Sequence, residues 1–314
     1  MMLHQDFNLY STLLRATAQQ LDIKLEFVEK DYWISLVLSR LAKSSFVDAC
    51  VFKGGTSLSK GYRLLDRFSE DIDLAILSDK VKSGNENKSL IRTIEKEITL
   101  DLKEVQVDAV TSKGSRFRKS VFEYVPAEKG TNSNTLIVEI NAFANPYPFQ
   151  PLTLQSLVFD FLQQTANEKY IDLYALHPFE VNVLSKEQTL LEKLAALIRF
   201  SFAENAGESI SGKIRHFYDL YYLMNDAVCI EFASSPSFKK QFDAILQHDR
   251  ELFDEPTGWE SKSISESRLL LDFSALWKQL IPKYETELAA FAFRPIPNEK
   301  DIAKCVEALL KRIA

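Results

Sequence analysis

Residues 52–74 read FKGGTSLSKGYRLLDRFSEDIDL and combine two glycines and a Thr-Ser pair with two aspartates one residue apart. Glycines, hydroxyls and paired carboxylates add little to a hydrophobic core, so their spacing needs another explanation. Residues 49–52 predict a short strand, and residues 56–65 predict a short helix after the glycines. Residues 71–77 alternate polar and apolar side chains, as a half-buried strand does. The segment therefore predicts a strand, a glycine turn, a helix and a second strand.

The glycine turn fits a phosphate site. Gly54 and Gly55 allow a sharp turn and a close approach of a ligand to the backbone. A helix that begins at Thr56 or Ser57 points free N–H groups and the positive end of its dipole at the turn, which favours phosphate. Positive charge nearby comes from Lys53 and Lys60. The same letters also fit a plain strand-to-helix turn with a hydroxyl cap, and for GGTS alone that interpretation is favoured.

The two aspartates fit a metal site. Asp71 and Asp73 leave the same face of the predicted strand, and the intervening Ile72 points to the core. Carboxylates this close repel each other, so one holds its proton unless a cation neutralises the pair. Oxygen-only ligands suit Mg²⁺ or Mn²⁺, which commonly binds one or two carboxylates together with substrate phosphates. An isolated Asp-x-Asp fits a solvated edge strand equally well.

A third acid, Glu139, interrupts the apolar run LIVEINAF at 136–143. An ionised carboxylate that is buried without a partner costs several kcal/mol, so this residue requires a metal, a partner or solvent. If its strand lies beside that of Asp71 and Asp73, three acids converge near the glycine turn. The metal ligands predicted here are thus Asp71, Asp73 and Glu139, and the set predicts metal-dependent attack on a nucleoside triphosphate.

Periodicity divides the chain into three parts. We predict an N-terminal helical arm at 1–45, a core with a mixed β-sheet at 46–184 and an all-helical domain at 185–314. Further strands are expected at 103–110, 116–125 and 135–143, and a helix at 88–102. The Pro-rich NPYPFQP at 145–151 predicts a break.

Composition and charge indicate a soluble protein without a general affinity for nucleic acid. With 314 residues, 46% hydrophobic and 26% charged, the chain is typical of a soluble globular protein. The net charge of -6 gives no general attraction for nucleic acid, so RNA binding would need a local patch. The candidate patch is KGSRFRKS at 113–120, with Lys113, Arg116, Arg118 and Lys119; a solvated hairpin explains it equally well. Three scattered cysteines and the lack of a signal-peptide or membrane-spanning pattern favour a cytoplasmic location without membrane contact.

The segment 52–74 resembles the signature of the AbiEii toxin family, within the DNA polymerase β-like minimal nucleotidyltransferase superfamily. The likeness extends to EKDYW (29–33), LLEKLAAL (190–197) and RHFYDLYYL (215–223). It implies an α/β (α+β) nucleotidyltransferase-like core followed by a helical domain. It also implies the toxin half of a bacterial toxin–antitoxin or phage-defence pair, with a cognate antitoxin encoded nearby. Relatives bind a nucleoside triphosphate, and some transfer nucleotides onto tRNA.

The resemblance also assigns roles to residues. It implies that Asp71 and Asp73 bind Mg²⁺, and that Lys193 and Asp219 serve catalysis. Lys193 is also expected to bind the nucleotide. Glu139 stands where many members carry Asp, and the third carboxylate varies within the superfamily. The nucleotide-binding residues expected besides Lys193 are Lys53, Gly54, Gly55, Thr56, Ser57, Lys60 and Ser69.

Helix geometry adds three expectations. Lys193 lies on the flank of an apolar stripe, and Arg199 is expected on a solvated face. Arg215 and Asp219 are spaced to pair across one helical turn, although Asp219 as a brace for Lys193 is an alternative.

Three functions remain open from the sequence. The favoured one is Mg²⁺-dependent nucleotidyl transfer from a triphosphate to an RNA or protein acceptor. The others are phosphoryl transfer from the same triphosphate and a nucleotide-binding module that inhibits growth by sequestering a partner. Two metal-binding acids favour an enzyme over sequestration.

Overall fold

A computed structural model of the protein describes residues 1–77, 80, 84–128 and 134–314. The chain forms two compact units. The first consists of Met1–Arg63 and Phe68–Leu184, and the second of Leu64–Arg67 and Ser185–Ala314. The residues expected to form an N-terminal arm lie within the first unit.

The described part of the first unit contains one mixed sheet of eight strands. The strands are β1 (Cys50–Lys53), β2 (Asp71–Ile76), β3 (Lys103–Val105), β4 (Ser112–Lys113), β5 (Phe117–Glu123), β6 (Thr135–Asn141), β7 (Phe149–Leu154) and β8 (Phe179–Leu184). Their order is β3-β5-β6-β2-β1-β8-β7, and β4 pairs with β5. The central strand β2 runs antiparallel to β1 and parallel to β6.

Helices pack on this sheet. They are α1 (Phe7–Leu21), α2 (Leu25–Lys43), α3 (Gly54–Thr56), α4 (Gly84–Ile98), α5 (Leu157–Gln164) and α6 (Lys169–Tyr174), with a π-helical turn at Ser57–Gly61 and 3-10 turns at Leu3–Gln5 and Val47–Ala49. The predicted helical arm is broken in two, because Asp22 ends α1 in the left-handed conformation with φ 53°. Helix α2 contacts α1, α4 and β8 and is almost wholly buried.

The break predicted at 145–151 is present over residues 145–148, but the last three residues of that range lie in a strand. The expected break at 145–151 overlaps strand β7, which pairs antiparallel with β8 and places Pro151 opposite Asn182. Strand β7 is the last in the strand order, and proline is tolerated on such an edge because its missing N–H is not needed by a further strand. The expected helix at 88–102 occupies Gly84–Ile98, and the expected strand at 103–110 ends at Val105.

The second unit is helical in its described residues, as the sequence predicts. Its helices are α7 (Lys186–Phe200), α8 (Ala206–Ser211), α9 (Ile214–Leu223), α10 (Ala227–Ser234), α11 (Ser237–Leu252), α12 (Arg268–Leu271), α13 (Phe273–Phe291) and α14 (Glu299–Ile313), with 3-10 turns at Trp259–Ser261 and Ile264–Glu266. Ser185 caps the start of helix α7, and its Oγ accepts from the Gln188 N–H at 3.1 Å. It packs against α9 and α11, and α9 also contacts α13 and α14.

The mixed α/β fold with a helical C-terminal region is confirmed. Across the described ranges, none of the helices combines the length and the apolar character needed to cross a membrane.

Candidate active site

Strand β2 brings the two aspartates to one face of the sheet. Asp71 and Asp73 are partly buried, whereas Ile72 and Leu74 are fully buried on the opposite face. Strand β6 lies parallel beside β2, and the register places Glu139 next to Asp73. The adjacency that the sequence analysis required is therefore present, and the three acids lie on neighbouring strands.

The three carboxylates influence one another. Burial, then the charges of Glu139 and Asp71, raise the pKa of Asp73 to about 7, while Lys53 and Lys119 partly oppose that rise. Electrostatics at this face therefore disfavour further negative charge and favour a cation.

The glycine turn lies directly against these acids. Gly54 has a φ of +79°, which side-chain-bearing residues rarely adopt. A Cβ atom at this position would overlap Oδ2 of Asp73. Two separate requirements thus disfavour a side chain at residue 54, which lies directly against the Asp73 carboxylate. The glycine turn and the acids therefore lie together.

The hydroxyls of the turn have partners within the protein. Thr56 donates to the backbone carbonyl of Asp71, and its Oγ1 lies 2.9 Å from the Ser69 hydroxyl. Ser57 donates to the Gly54 carbonyl at 2.9 Å. Both residues are buried, so these hydroxyls stabilise the turn and fix the start of β2. Their expected contact with a triphosphate stays a prediction.

Lys60 is also bound within the protein. Its ammonium group contacts Asp31 Oδ1 at 2.5 Å and donates to the Gln155 carbonyl at 2.9 Å. The other oxygen of Asp31 accepts from the Leu157 N–H at 2.7 Å. Lys60 therefore anchors the π-helical turn that follows the glycines to helix α2, and its expected role toward a nucleotide stays a prediction.

Helix α2 contains two further buried charges beside Asp31. Lys30 forms an ion pair with Glu70, the residue that precedes the acid strand. Glu29 accepts from the Tyr10 hydroxyl and from the Ala127 N–H. These anchoring roles were not predicted from the sequence. Three consecutive charged residues followed by the largely apolar run YWISLVL were the available signal, because burying charges requires partners.

The basic cluster at 113–120 does not form one patch. Arg118 is buried and contacts Glu95 and Glu104, and Lys113 contacts Glu104 at 2.8 Å. Lys119 is the next residue after Arg118 in β5, so it points to the opposite face, where it lies 3.5 Å from Glu139. The four basic residues lie around the start of β5 as expected, but they do not share one face, and RNA binding by this cluster stays a prediction.

The second unit has its own charge cluster around Asp219, which is 0% exposed. Arg67 donates to both carboxylate oxygens through Nε and Nη2, each at 2.8 Å. Lys193 Nζ lies 2.8 Å from Oδ2. Burial alone would raise the pKa of Asp219, but Arg67 and Lys193 hold it well below its ordinary value. Sequence reasoning did not find Arg67.

Two helix-based expectations are wrong. Arg215 contacts Glu287 at 3.4 Å, whereas Asp219 pairs with Arg67 and Lys193. Arg199 is partly buried, with its guanidinium 3.7 Å from the centroid of the Phe253 ring. Burial lowers the pKa of Arg199. The contact between Lys193 and Asp219 is the one that the brace interpretation requires.

The fit of a metal to this site depends on the donor set. In the part of the chain that the structure describes, no three His, Cys, Asp or Glu side chains are arranged to hold a metal ion by themselves. Asp71 and Asp73 nevertheless offer oxygen ligands on one strand, and the charges of Glu139 and Asp71 add to the rise that burial causes in the pKa of Asp73. This set suits a hard divalent cation that takes its remaining ligands from substrate phosphates and water.

Comparison with known proteins shows the family of this chain. A sequence model described as nucleotidyl transferase AbiEii toxin, type IV toxin–antitoxin system, matches residues 36–307. A search of curated proteins found no match. Among solved structures, MenT4, a nucleotidyltransferase toxin from Mycobacterium tuberculosis H37Rv, has 17% sequence identity and a TM-score of 0.49, over 96% of this chain and 98% of that one. Because the family match spans most of the sequence, this chain belongs to the AbiEii family of nucleotidyl transferase toxins.

Proposed function

We propose that this toxin transfers a nucleotide from a nucleoside triphosphate to an RNA acceptor, such as tRNA, in a Mg²⁺-dependent reaction. The observation that carries the proposal is the contact between the Gly54 turn and Asp73, with Asp71 and Glu139 on the same face. A phosphate-binding turn in contact with a carboxylate cluster is what a metal–triphosphate complex needs. A glycine turn alone would not need carboxylates beside it, and a carboxylate cluster alone would not need a glycine turn.

Each part of the site has a proposed task. The backbone around Gly54 and Gly55 receives the triphosphate, and Lys53 adds positive charge beside it. Asp71 and Asp73 would hold Mg²⁺ or Mn²⁺, with Glu139 as the third carboxylate. The bound ion would supply charge neutralisation for the triphosphate. The roles that the family resemblance gives to Lys193 and Asp219 remain predictions.

In the proposed reaction, each bond that forms is matched by one that breaks. A hydroxyl oxygen of the acceptor attacks the α-phosphorus, forming a new phosphodiester bond. The bond between the α-phosphorus and the oxygen that leads to the β-phosphate breaks, and pyrophosphate leaves with that oxygen. The proton of the attacking hydroxyl passes to a carboxylate of the site. We also propose a cognate antitoxin as partner, as the toxin–antitoxin family implies.

Isotope position tests the reaction type. The purified protein is incubated with each of the four nucleoside triphosphates, labelled with ³²P at the α or the γ position, with total RNA and protein extract. We expect label in RNA from the α position only, and loss of labelling when EDTA removes divalent cations. Label from the γ position only would indicate a phosphotransferase. Growth inhibition that persists in a folded variant unable to transfer label would indicate sequestration.

A further inference from the structure

Four charged residues lie in one register row across the sheet of the first unit. Lys53 of β1 lies opposite Asp73 of β2, and Asp73 lies beside Glu139 of β6. Glu139 in turn lies opposite Lys119 of β5. Side chains in register on neighbouring strands share a face and lie close enough to interact. The row therefore reads positive, negative, negative, positive.

Lys119 makes a specific contact in this row. Its Nζ lies 3.5 Å from Glu139 Oε2, and the two side chains are 28% and 25% exposed. The adjacent Arg118 points to the other face of the sheet, where it contacts Glu95. Lys119 thus belongs to the carboxylate face, although its position in the sequence groups it with the other basic residues of β4 and β5.

The two lysines lie at opposite ends of the row. Lys53 immediately precedes Gly54, so it lies next to the glycine turn. Lys119 lies two strands further along the sheet from Asp73, beyond Glu139. Its neighbour is therefore the third carboxylate and not the phosphate turn, and its effect on the reaction would act through Glu139.

We propose that Lys119 is a positioning residue of the transfer site, which holds the Glu139 carboxylate beside Asp73 and offsets part of the negative charge of the row. The inference rests on the proposed function, because the position of Glu139 matters only if that carboxylate serves the transfer. A glutamate side chain samples several rotamers, and an ion pair with Lys119 restricts them. The same ammonium charge repels a divalent cation bound at the aspartates.

The test uses the full-length protein with Lys119→Met, which keeps most of the aliphatic stem, and Lys119→Arg, which keeps the charge. The matched control is Lys103→Met. Lys103 forms an equivalent cross-strand pair with Glu123, at 3.4 Å, near the other end of β5. Two quantities are measured: the affinity for Mn²⁺ by electron paramagnetic resonance, and kcat and KM for α-labelled triphosphate.

Opposite changes in the two quantities are expected. Losing a positive charge near the cation should tighten Mn²⁺ binding about threefold at physiological ionic strength. Losing the orientation of Glu139 should lower kcat by roughly ten- to a hundredfold, with KM for the triphosphate within about twofold. Lys119→Arg should restore most of both, and Lys103→Met should match the parent. A lysine that only supports the fold would instead lower the free energy of unfolding, and Lys119→Arg would not restore kcat.

Three results would overturn the inference. The first is a folded Lys119→Met protein with unchanged Mn²⁺ affinity and unchanged kcat. The second is a full additional loss when Lys119→Met is added to Glu139→Gln, because a residue that acts through Glu139 has little left to lose. The third is a protein that binds no Mn²⁺, or whose Mn²⁺ affinity is insensitive to Asp73→Asn. That result removes the proposed function and this inference with it, whereas the first two leave the proposed function standing.

Discussion

The two units each contain an aspartate in a charge cluster. Acids outnumber cations in the first cluster, and cations outnumber acids in the second. On the sheet of the first unit, Asp73 is one of three carboxylates that face two lysines. In the second unit, Asp219 is a single carboxylate with donors from two cations. Burial raises the pKa of Asp73, with added effect from its acidic neighbours, whereas cations lower that of Asp219 despite burial.

This difference favours a ligand site at the first cluster and predicts that the second stabilises the fold. Asp73 lies in a cluster where acids exceed cations, and an added divalent ion would restore the balance. Asp219 has protein donors on both oxygens and needs no external cation. The same substitution, aspartate to asparagine, should therefore have opposite consequences in the two clusters.

The largest effect is expected from Asp73→Asn. Asparagine has the same shape, and the apolar face of β2 is untouched, so the protein should fold. Removing one carboxylate from a repelling group should leave the free energy of unfolding unchanged or raise it. Transfer should fall by about a thousandfold or more, because losing one metal ligand removes several kcal/mol of charge stabilisation. Single-turnover transfer assays and urea unfolding measure the two quantities.

The matched control for Asp73→Asn is Asp108→Asn, at an exposed position in a turn. It should change neither transfer nor stability. A folded Asp73→Asn protein that transfers at the parental rate, or that still inhibits growth on expression, would contradict the assignment of Asp73 to the enzymatic site.

The next effect is expected from Asp219→Asn, and it concerns stability. Removing the charge takes the Asp219 carboxylate away from the buried Arg67 and Lys193. Breaking a buried pair in this way typically costs about 3–5 kcal/mol. Urea unfolding at pH 7 should show that loss, while Asp73→Asn shows none. Equal stabilities of the two variants would erase the distinction between the clusters.

The same variant has a defined pH dependence. The pKa of Asp219 is lowered in the folded protein, so ionised Asp219 stabilises the fold at pH values above the unfolded pKa of about 4. That stabilisation is lost as the pH falls through the folded-state pKa. The stability difference between the parent and Asp219→Asn should thus be constant from pH 7 to 5 and shrink below about pH 4. A difference that grows on acidification would contradict the assignment.

Local patterns in the sequence were enough to single out Asp71, Asp73 and Glu139. Alternation in DIDLAIL predicts which side chains share a face, and a lone glutamate in an apolar strand marks a buried acid. Both follow from the two-residue period of a strand, which depends only on neighbours in the chain. The glycine turn and its helix were likewise expected, although the helix proved to be a single α-turn followed by a π-helical turn.

What could not be predicted depends on contacts between distant parts of the chain. The position of Lys119 opposite Glu139 follows from the register of β5 and β6, which no local pattern specifies. Arg67 sits in a four-residue segment that belongs to the second unit although its neighbours in sequence belong to the first. Strand β7 was missed because proline argues against a central strand, and only the strand order reveals an edge.

A smaller effect is expected from Gly54→Ala. A methyl group at a φ of +79° costs about 1–2 kcal/mol and also pushes against the Asp73 carboxylate. We expect transfer to fall by roughly tenfold or more, with a modest loss of stability, because a small displacement of a reacting group has a large kinetic cost. Gly212→Ala is the control, since its Cβ would meet only an ordinary contact, 3.6 Å from the Ser209 carbonyl. Equal activities of the two variants would mean that the turn and the acids act separately.

The smallest effect is expected on the salt dependence of RNA binding, and it should differ between two basic residues outside both clusters. Arg116 is exposed, whereas Lys113 contacts Glu104 at 2.8 Å and already has a protein partner. If this hairpin contacts RNA, Arg116 should release a counterion on binding and Lys113 should contribute little. Arg116→Gln should then reduce the slope of log affinity against log salt by about 0.7, the value for one single-strand phosphate contact, and Lys113→Gln should leave it unchanged. Fluorescence anisotropy with a labelled RNA over a range of KCl concentrations measures both slopes. Equal reductions would mean that the ion pair with Glu104 opens on binding, and two unchanged slopes would assign the hairpin to solvent.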